Sequence, residues 1–384
     1  MAIGLGLHRA LYREGDVRTA GMRGGGAARS GEGLAVSQAS RVSMQEVADR
    51  AGVALSSVSR VVSGHRDVSP VMRERVLRVV ADLGYEPDIL ARSLRRGQTM
   101  TVGFVVGNIA NPLLAEIALG AETRLREAGY AMLLANSMDD PALDSAHIRL
   151  FRQRRVDGLL LSLTDDRDPE LAAELARANV PAVLVDRDAA RYPGVAAVLY
   201  DHASGVERAT EALIELGHTH LALINGPPAS RPARERASAL RRVLRRHPEA
   251  AGLVRSGAFS AQHGESTMAS LLAQDNEAVP TAVIAGSNQI LVGVLRALRR
   301  ANVIIPKDLS VVTCDDQPLS ELFDPPLATI SRQPHELGEV SAELLLEQLN
   351  GGPARSVVLP TSFRPTESCA PPRQPARRRR GGGG

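Results

Sequence analysis

From Thr101 onward, short apolar runs alternate with longer amphipathic stretches. The runs are Val102–Val106, Ala131–Leu134, Gly158–Leu161, Ala182–Val185, Leu221–Ile224, Ala282–Ile284 and Val311–Thr313. Between them lie Leu113–Ala128, Pro169–Ala178, Gly205–Leu216 and Val292–Ala301, whose apolar residues recur at helical spacing. Unbroken apolar runs suit strands covered on both faces, so the alternation predicts an α/β body with parallel sheets. At about 270 residues it exceeds one doubly wound unit, and two lobes with a ligand cleft between them are expected.

The pattern before Thr101 is helical and finer grained. Ser43-Met44-Gln45-Glu46 is a capping box, and Met44, Val47, Ala48 and Ala51 share one face of the helix it opens. Gly52 supplies a turn. A second helix follows with Val58, Val61 and Val62 inward and Leu55, Ser56, Ser59 and Arg60 on the other side. Ser69-Pro70 opens a third helix through Met72, Val76, Val80 and Leu83, which Gly84 ends. Two helices joined at a glycine turn and braced by a third make a helix-turn-helix unit whose second helix can enter a major groove. Residues 88–97 make about two helical turns, too few to be stable alone, and are expected to order only against a partner. Residues 1–40, rich in glycine and arginine, and the tail 369–384 show no periodicity and read as disordered extensions.

Charge sharpens the division. The net charge is +3 over residues 41–97 and −7 over 98–368, so a basic module precedes an acidic body, as a polyanion-binding unit attached to a different kind of domain would. The two cysteines, Cys314 and Cys369, offer neither a zinc cluster nor a disulfide framework, and no metal or cofactor is expected. Neither a secretory signal nor a membrane span is read, which places the protein in the cytoplasm, with the nucleoid.

On these residues the chain resembles the lactose-repressor (LacI) family of bacterial transcription regulators over roughly residues 42–370. The resemblance rests on Met44 to Val53, Val58-Ser59-Arg60-Val61-Val62 and Ala91-Arg92-Ser93-Leu94. In the body it continues through Asn111-Pro112 with Ala115-Glu116-Ile117, Arg155-Val156-Asp157-Gly158, Leu216-Gly217-His218, Asp315-Asp316 and Asp324-Pro325-Pro326-Leu327. It implies a helix-turn-helix headpiece (42–87), a hinge helix (88–97) and a two-lobed periplasmic-binding-protein-like core (98–368) of doubly wound parallel sheets. Lobe 1 would hold about 98–200 plus 332–368, and lobe 2 about 201–331. The implied protein is a homodimeric repressor of a pseudopalindromic DNA operator, controlled by a small effector, a sugar or sugar derivative, bound between the lobes.

The resemblance assigns Leu55, Ser56 and Arg60 to base edges and Ser57, Ser59 and Ser69 to the phosphate backbone, with Ser43 a further DNA-contacting position. A guanidinium suits guanine O6 and N7, with a phosphate contact as the alternative for Arg60. Leu94 matches the hinge leucine that wedges between base steps, an ordinary buried leucine being the alternative. Ala54 and Ser63 replace the usual hydroxyl residue and asparagine. In the core, Leu113, Arg236, Phe259, Ser287, Asn288 and Asp315 fall on effector positions: Phe259 offers a ring face and Asp315 and Arg236 bond hydroxyls, while Phe259 reads equally as a core residue. Leu113-Leu114 stands where an aromatic is frequent, and Ser287-Asn288 replaces Asn-Asp. A regulator answering to a nucleobase or nucleoside, and a sugar-binding protein without DNA function, remain open beside this reading. Enzymatic function is not expected, because none of G-x-G-x-x-G, G-x-x-x-x-G-K, H-E-x-x-H or G-x-S-x-G occurs.

Overall fold

The computed structural model describes residues 42–65, 67–85, 97–274 and 279–373. The hinge segment with Leu94 lies outside them. The chain forms two compact units, up to Pro87 and from Asp88.

The first unit contains α1 (Met44–Ala51), α2 (Leu55–Val62) and α3 (Pro70–Leu83). Both halves of the predicted capping box form: the Ser43 N–H donates to Glu46 Oε2 at 2.6 Å and the Glu46 N–H to Ser43 Oγ at 3.2 Å. The Ser43 N–H bond and a second from the Ser43 hydroxyl at 3.0 Å hold the Glu46 carboxyl below its ordinary value. Gly52, at φ 63°, ends α1 in the left-handed region that glycine enters without a Cβ clash. Val47, Ala48, Ala51, Val58, Val61, Val76 and Tyr85 form the core, and Val62 is only half-buried.

The second unit has two six-stranded sheets. Sheet 1 contains β1 (Thr101–Val106), β2 (Ala131–Asn136), β3 (Gly158–Ser162), β4 (Ala182–Val185), β5 (Ala196–Tyr200) and β11 (Ser356–Leu359), ordered β2-β1-β3-β4-β5-β11. Sheet 2 contains β6 (His220–Asn225), β7 (Ala251–Ser256), β8 (Ala282–Ala285), β9 (Ser310–Cys314), β10 (Ala328–Ser331) and β12 (Ser362–Arg364), ordered β7-β6-β8-β9-β10-β12. The two orders are equivalent, and every pairing is parallel except β10 with β12. Each sheet changes winding direction between its first and third strands, where open α/β sheets bind ligands beyond the strand carboxyl ends.

The chain passes between the sheets three times: after β5, after β10 and again between β11 and β12. The third passage corrects the expected lobe limits, because β12 pairs with β10 and residues from 362 therefore lie in lobe 2. Residues 369–373, read from the sequence as part of a disordered tail, are likewise docked there. The Ala370 N–H donates to Ser310 Oγ at 3.1 Å, His218 Nε2 bonds the Ala370 carbonyl at 3.0 Å, and Arg373 pairs with Asp308 at 2.7 Å.

Each lobe is clasped by one glycine-to-backbone helix crossing. In lobe 1, α4 (Pro112–Glu127) meets α12 (Pro334–Leu349), where a Cβ on Gly120 would lie 2.1 Å from the His335 carbonyl oxygen and one on Gly338 2.0 Å from that of Ile117. In lobe 2, α9 (Ala261–Leu272) meets α10 (Asn288–Arg300): a Cβ on Gly264 would fall 2.2 Å from the Ile290 oxygen and one on Gly293 2.0 Å from that of Ala261. Because the obstacle is backbone, helices must separate to admit a methyl group. Gly293→Ala is expected to cost about 1–3 kcal/mol, read as a lower urea midpoint with unchanged slope.

Candidate DNA-reading helix and effector cleft

On the first unit, Leu55, Ser56 and Arg60 of α2 are exposed, and Ser57 and Ser59 are half-buried. Arg60 belongs to no ion pair among the described residues. The replacements at Ala54 and Ser63 have visible consequences. No side chain caps the amino end of α2, where the Ser57 N–H donates to the Ala54 carbonyl at 2.9 Å. The Ser63 hydroxyl turns back into the helix, donating to the Ser59 carbonyl at 2.7 Å. Ser43 and Ser69 both serve as N-caps, Ser69 accepting from the Met72 N–H at 3.4 Å.

In the second unit, residues just beyond strand ends line a cleft between the lobes with about 670 Å³ of empty space, its mouth included. Five of the six expected effector residues, Leu113, Arg236, Phe259, Ser287 and Asp315, line it. Asn288 does not: its amide donates across the interlobe gap to Asn111 Oδ1 at 2.8 Å. Phe259 satisfies both of its readings, since it lines the cleft and packs on the lobe 2 core, its ring so close that a Cβ on Gly226 would lie 2.0 Å from it.

The sequence reading missed Asp139, Ser162, Asp186, Arg187 and Arg332, all of which line the cleft. A signal was available. Asp186-Arg187 and Arg332 follow the apolar runs of β4 and β10 at the carboxyl ends where ligands bind.

A buried ionic chain joins the lobes along the cleft. The His202 ring, on the first turn of α7 (His202–Glu215), bonds both Asp186 oxygens through Nε2 at 3.0 and 2.9 Å, and Arg236 Nη2 lies 3.4 Å from its Nδ1. These partners specify a neutral ring with the proton on Nε2. Burial, reinforced by the positive charge of Arg236 and Arg332, lowers His202 to about 4 against the pull of Asp186. Burial alone would raise Asp186, but His202, Arg332 and Arg187 outweigh it and hold the carboxyl below its ordinary range. Arg231 and Arg332 approach the same carboxylate at 3.4 and 3.3 Å. A further ion pair joins the lobes, Arg234 of lobe 2 with the buried Asp166 of lobe 1 at 2.8 Å. At the rim, Asp139 is pushed up by desolvation, and Arg187 donates to the carbonyls of Leu163 and Asp186.

Asp315 is the pivotal side chain. It is 1% exposed and adopts φ 85°, a conformation that costs a non-glycine residue strain and recurs at functional sites. Arg332 bonds only its Oδ1, and Oδ2 is buried without a partner. Its neighbour Asp316 points elsewhere, to Ser331 and to Arg364 at 2.7 Å.

Residues 43–88 match the family described as bacterial regulatory proteins, lacI family, and residues 210–369 the periplasmic binding protein-like domain. The ribose operon repressor of Escherichia coli (strain K12) is 34% identical over 311 residues, spanning 80% of this chain and 92% of that protein. The chain belongs to the lacI family of bacterial regulatory proteins. The HTH-type transcriptional repressor PurR of Aliivibrio fischeri (strain ATCC 700601 / ES114) is 29% identical over 80% of this chain and 91% of its own length. Among solved structures, the Lac repressor dimer bound to operator and the anti-inducer ONPF aligns with TM-score 0.76 at 29% identity, covering 86% of this chain and 99% of that one. The complex of the regulator CelR with cellobiose aligns with TM-score 0.64 at 32% identity, covering 85% and 100%. This lacI-family chain is therefore an effector-modulated DNA-binding repressor and not an enzyme. No helix among the described residues is long and apolar enough to cross a membrane.

Proposed function

We propose that the chain is a cytoplasmic, homodimeric repressor that reads a pseudopalindromic operator with α2 and answers to a sugar held between its lobes. One observation carries the sugar reading: Asp315, whose Oδ2 is buried without a partner, lines the same cleft as the Phe259 ring. A ring with a hydroxylated edge satisfies both, stacking on the aromatic face and donating to the carboxylate. The ribose operon repressor and CelR–cellobiose relatives support the same class. Leu113, Arg236 and Ser287 complete the contact set, and Asn288 acts indirectly by tying the lobes. The test is a thermal shift of the full chain against D-ribose, other pentoses and hexoses, nucleosides and nucleobases. A sugar is expected to raise the midpoint and to change operator affinity. A response confined to nucleobases or nucleosides would overturn the sugar assignment.

At the operator, Leu55, Ser56 and Arg60 meet base edges, Ser57, Ser59, Ser69 and Ser43 lie along the phosphates, and Leu94 of the hinge segment wedges between base steps. Arg60→Ala is expected to cost about 1–3 kcal/mol on the preferred site and to relax base preference at one position. Equal weakening on every sequence, with a salt slope reduced by about 1, would make Arg60 a phosphate contact instead.

A further inference from the structure

Arg332 stands at the second passage between the lobes, immediately after β10, and its guanidinium is shared. Nε donates to Asp315 Oδ1 at 2.6 Å, Nη2 reaches the same oxygen, and Nη1 approaches Asp186 Oδ2 at 3.3 Å. The guanidinium carbon lies 5.1 Å from the centroid of the Tyr200 ring, which ends β5 just before the first passage. One buried cation therefore touches a lobe 2 carboxylate, a lobe 1 carboxylate and the strand ends at two of the three passages.

The asymmetry at Asp315 gives this arrangement a direction. Two donors converge on Oδ1, while Oδ2 of this cleft-lining residue is buried without a partner. We infer that Arg332 positions Asp315 for the effector and relays occupancy of Asp315 Oδ2 to lobe 1 through Asp186. The inference rests on the reading of the cleft as the effector site. A hydroxyl donated to Oδ2 draws negative charge away from Oδ1 and loosens Arg332 there, and the same guanidinium then weights its bond to Asp186. Binding and lobe geometry thus share one side chain, as a coupling between sites requires. Lysine cannot replace it, because one ammonium does not fork between two carboxylates in fixed geometry.

A ligand-free thermodynamic cycle tests the relay. Operator affinity of the full chain is measured by fluorescence anisotropy for Asp315→Asn, Asp186→Asn and the pair, each with Arg332 present and in the Arg332→Gln background, on protein shown folded by circular dichroism. With Arg332 present the two substitutions are expected to be non-additive by about fivefold or more, and without it to combine within about twofold. Additivity with Arg332 present, or equal coupling in the Arg332→Gln background, overturns the relay. Should Asp186→Asn not fold, Asp186→Glu takes its place in the cycle. A second arm uses D-ribose: in Arg332→Lys, at D-ribose concentrations shown by titration to saturate the variant, the operator response is expected to fall below about twofold. A full response in Arg332→Lys overturns the relay. Failure of D-ribose to bind the unmodified chain counts against its assignment as effector, and the ligand-free cycle still decides the role of Arg332.

Discussion

Asp186→Ala is expected to destabilise the second unit by about 3–5 kcal/mol, the largest effect of any single substitution considered. The carboxylate is 5% exposed and faces His202, Arg231 and Arg332, so its removal leaves a buried guanidinium with half of its compensation and an imidazole N–H without an acceptor. The residue also sits at φ 54°, so alanine inherits the backbone strain without the bonds that offset it. Urea midpoints of the full chain measure the loss. A change below about 1 kcal/mol would mean that Asp315 alone suffices to compensate Arg332. Asparagine at the same position keeps an acceptor for both partners and is expected to cost less.

Acidification is expected to weaken the core through His202 by about 3 kcal/mol between pH 7 and pH 4. The ring is held neutral down to about 4 in the folded protein, whereas the unfolded chain protonates it near its ordinary 6.5. Between those values the unfolded state binds more protons, so stability rises with pH across the window and falls as acid is added. Asp186 acts in a separate range. Its folded value is depressed, and the stability it confers is lost only as pH drops below the ordinary carboxylate value. His218, lowered by burial against a carbonyl bond from Ala370, adds a slope of the same sign as His202. The informative comparison is therefore the unmodified chain against His202→Gln: urea midpoints at pH 7, 6 and 5 should converge in the variant by about 1 kcal/mol per pH unit. Parallel slopes would show that His202 takes up its proton over the same pH range in the folded protein as in the unfolded chain.

Some elements were legible where one physical signal dominated, although β5, apolar throughout, was not read from Ala196–Tyr200. Ser43 and Glu46 announced α1 because a capping box is a local device, and Gly158–Ser162 announced β3 because a strand buried on both faces is apolar throughout. Ala251–Ser256 escaped notice: it is an edge strand, half-exposed and carrying Arg255, so burial does not dictate its composition. β12 is only three residues long and is defined by its partner β10 rather than by its own pattern. The cleft divided along the same line. Asp315 and Phe259 were reached by resemblance, but Asp186 and Arg332 lie 146 positions apart and meet only because both strands end at one seam.

The three passages between the sheets also limit how such a protein can be rearranged. Lobe 1 is assembled from residues on both sides of lobe 2 in the sequence, and lobe 2 recovers β12 after lobe 1 has been completed. Neither lobe corresponds to one continuous stretch of gene, so a recombination that exchanges a single lobe must cut the reading frame at several places and rejoin Arg332, Tyr200 and Asp186 in register. A crossover in the segment joining the first unit to the second needs only one cut. New pairings of operator and signal are thus reached far more readily by trading whole headpieces than by trading half a cleft.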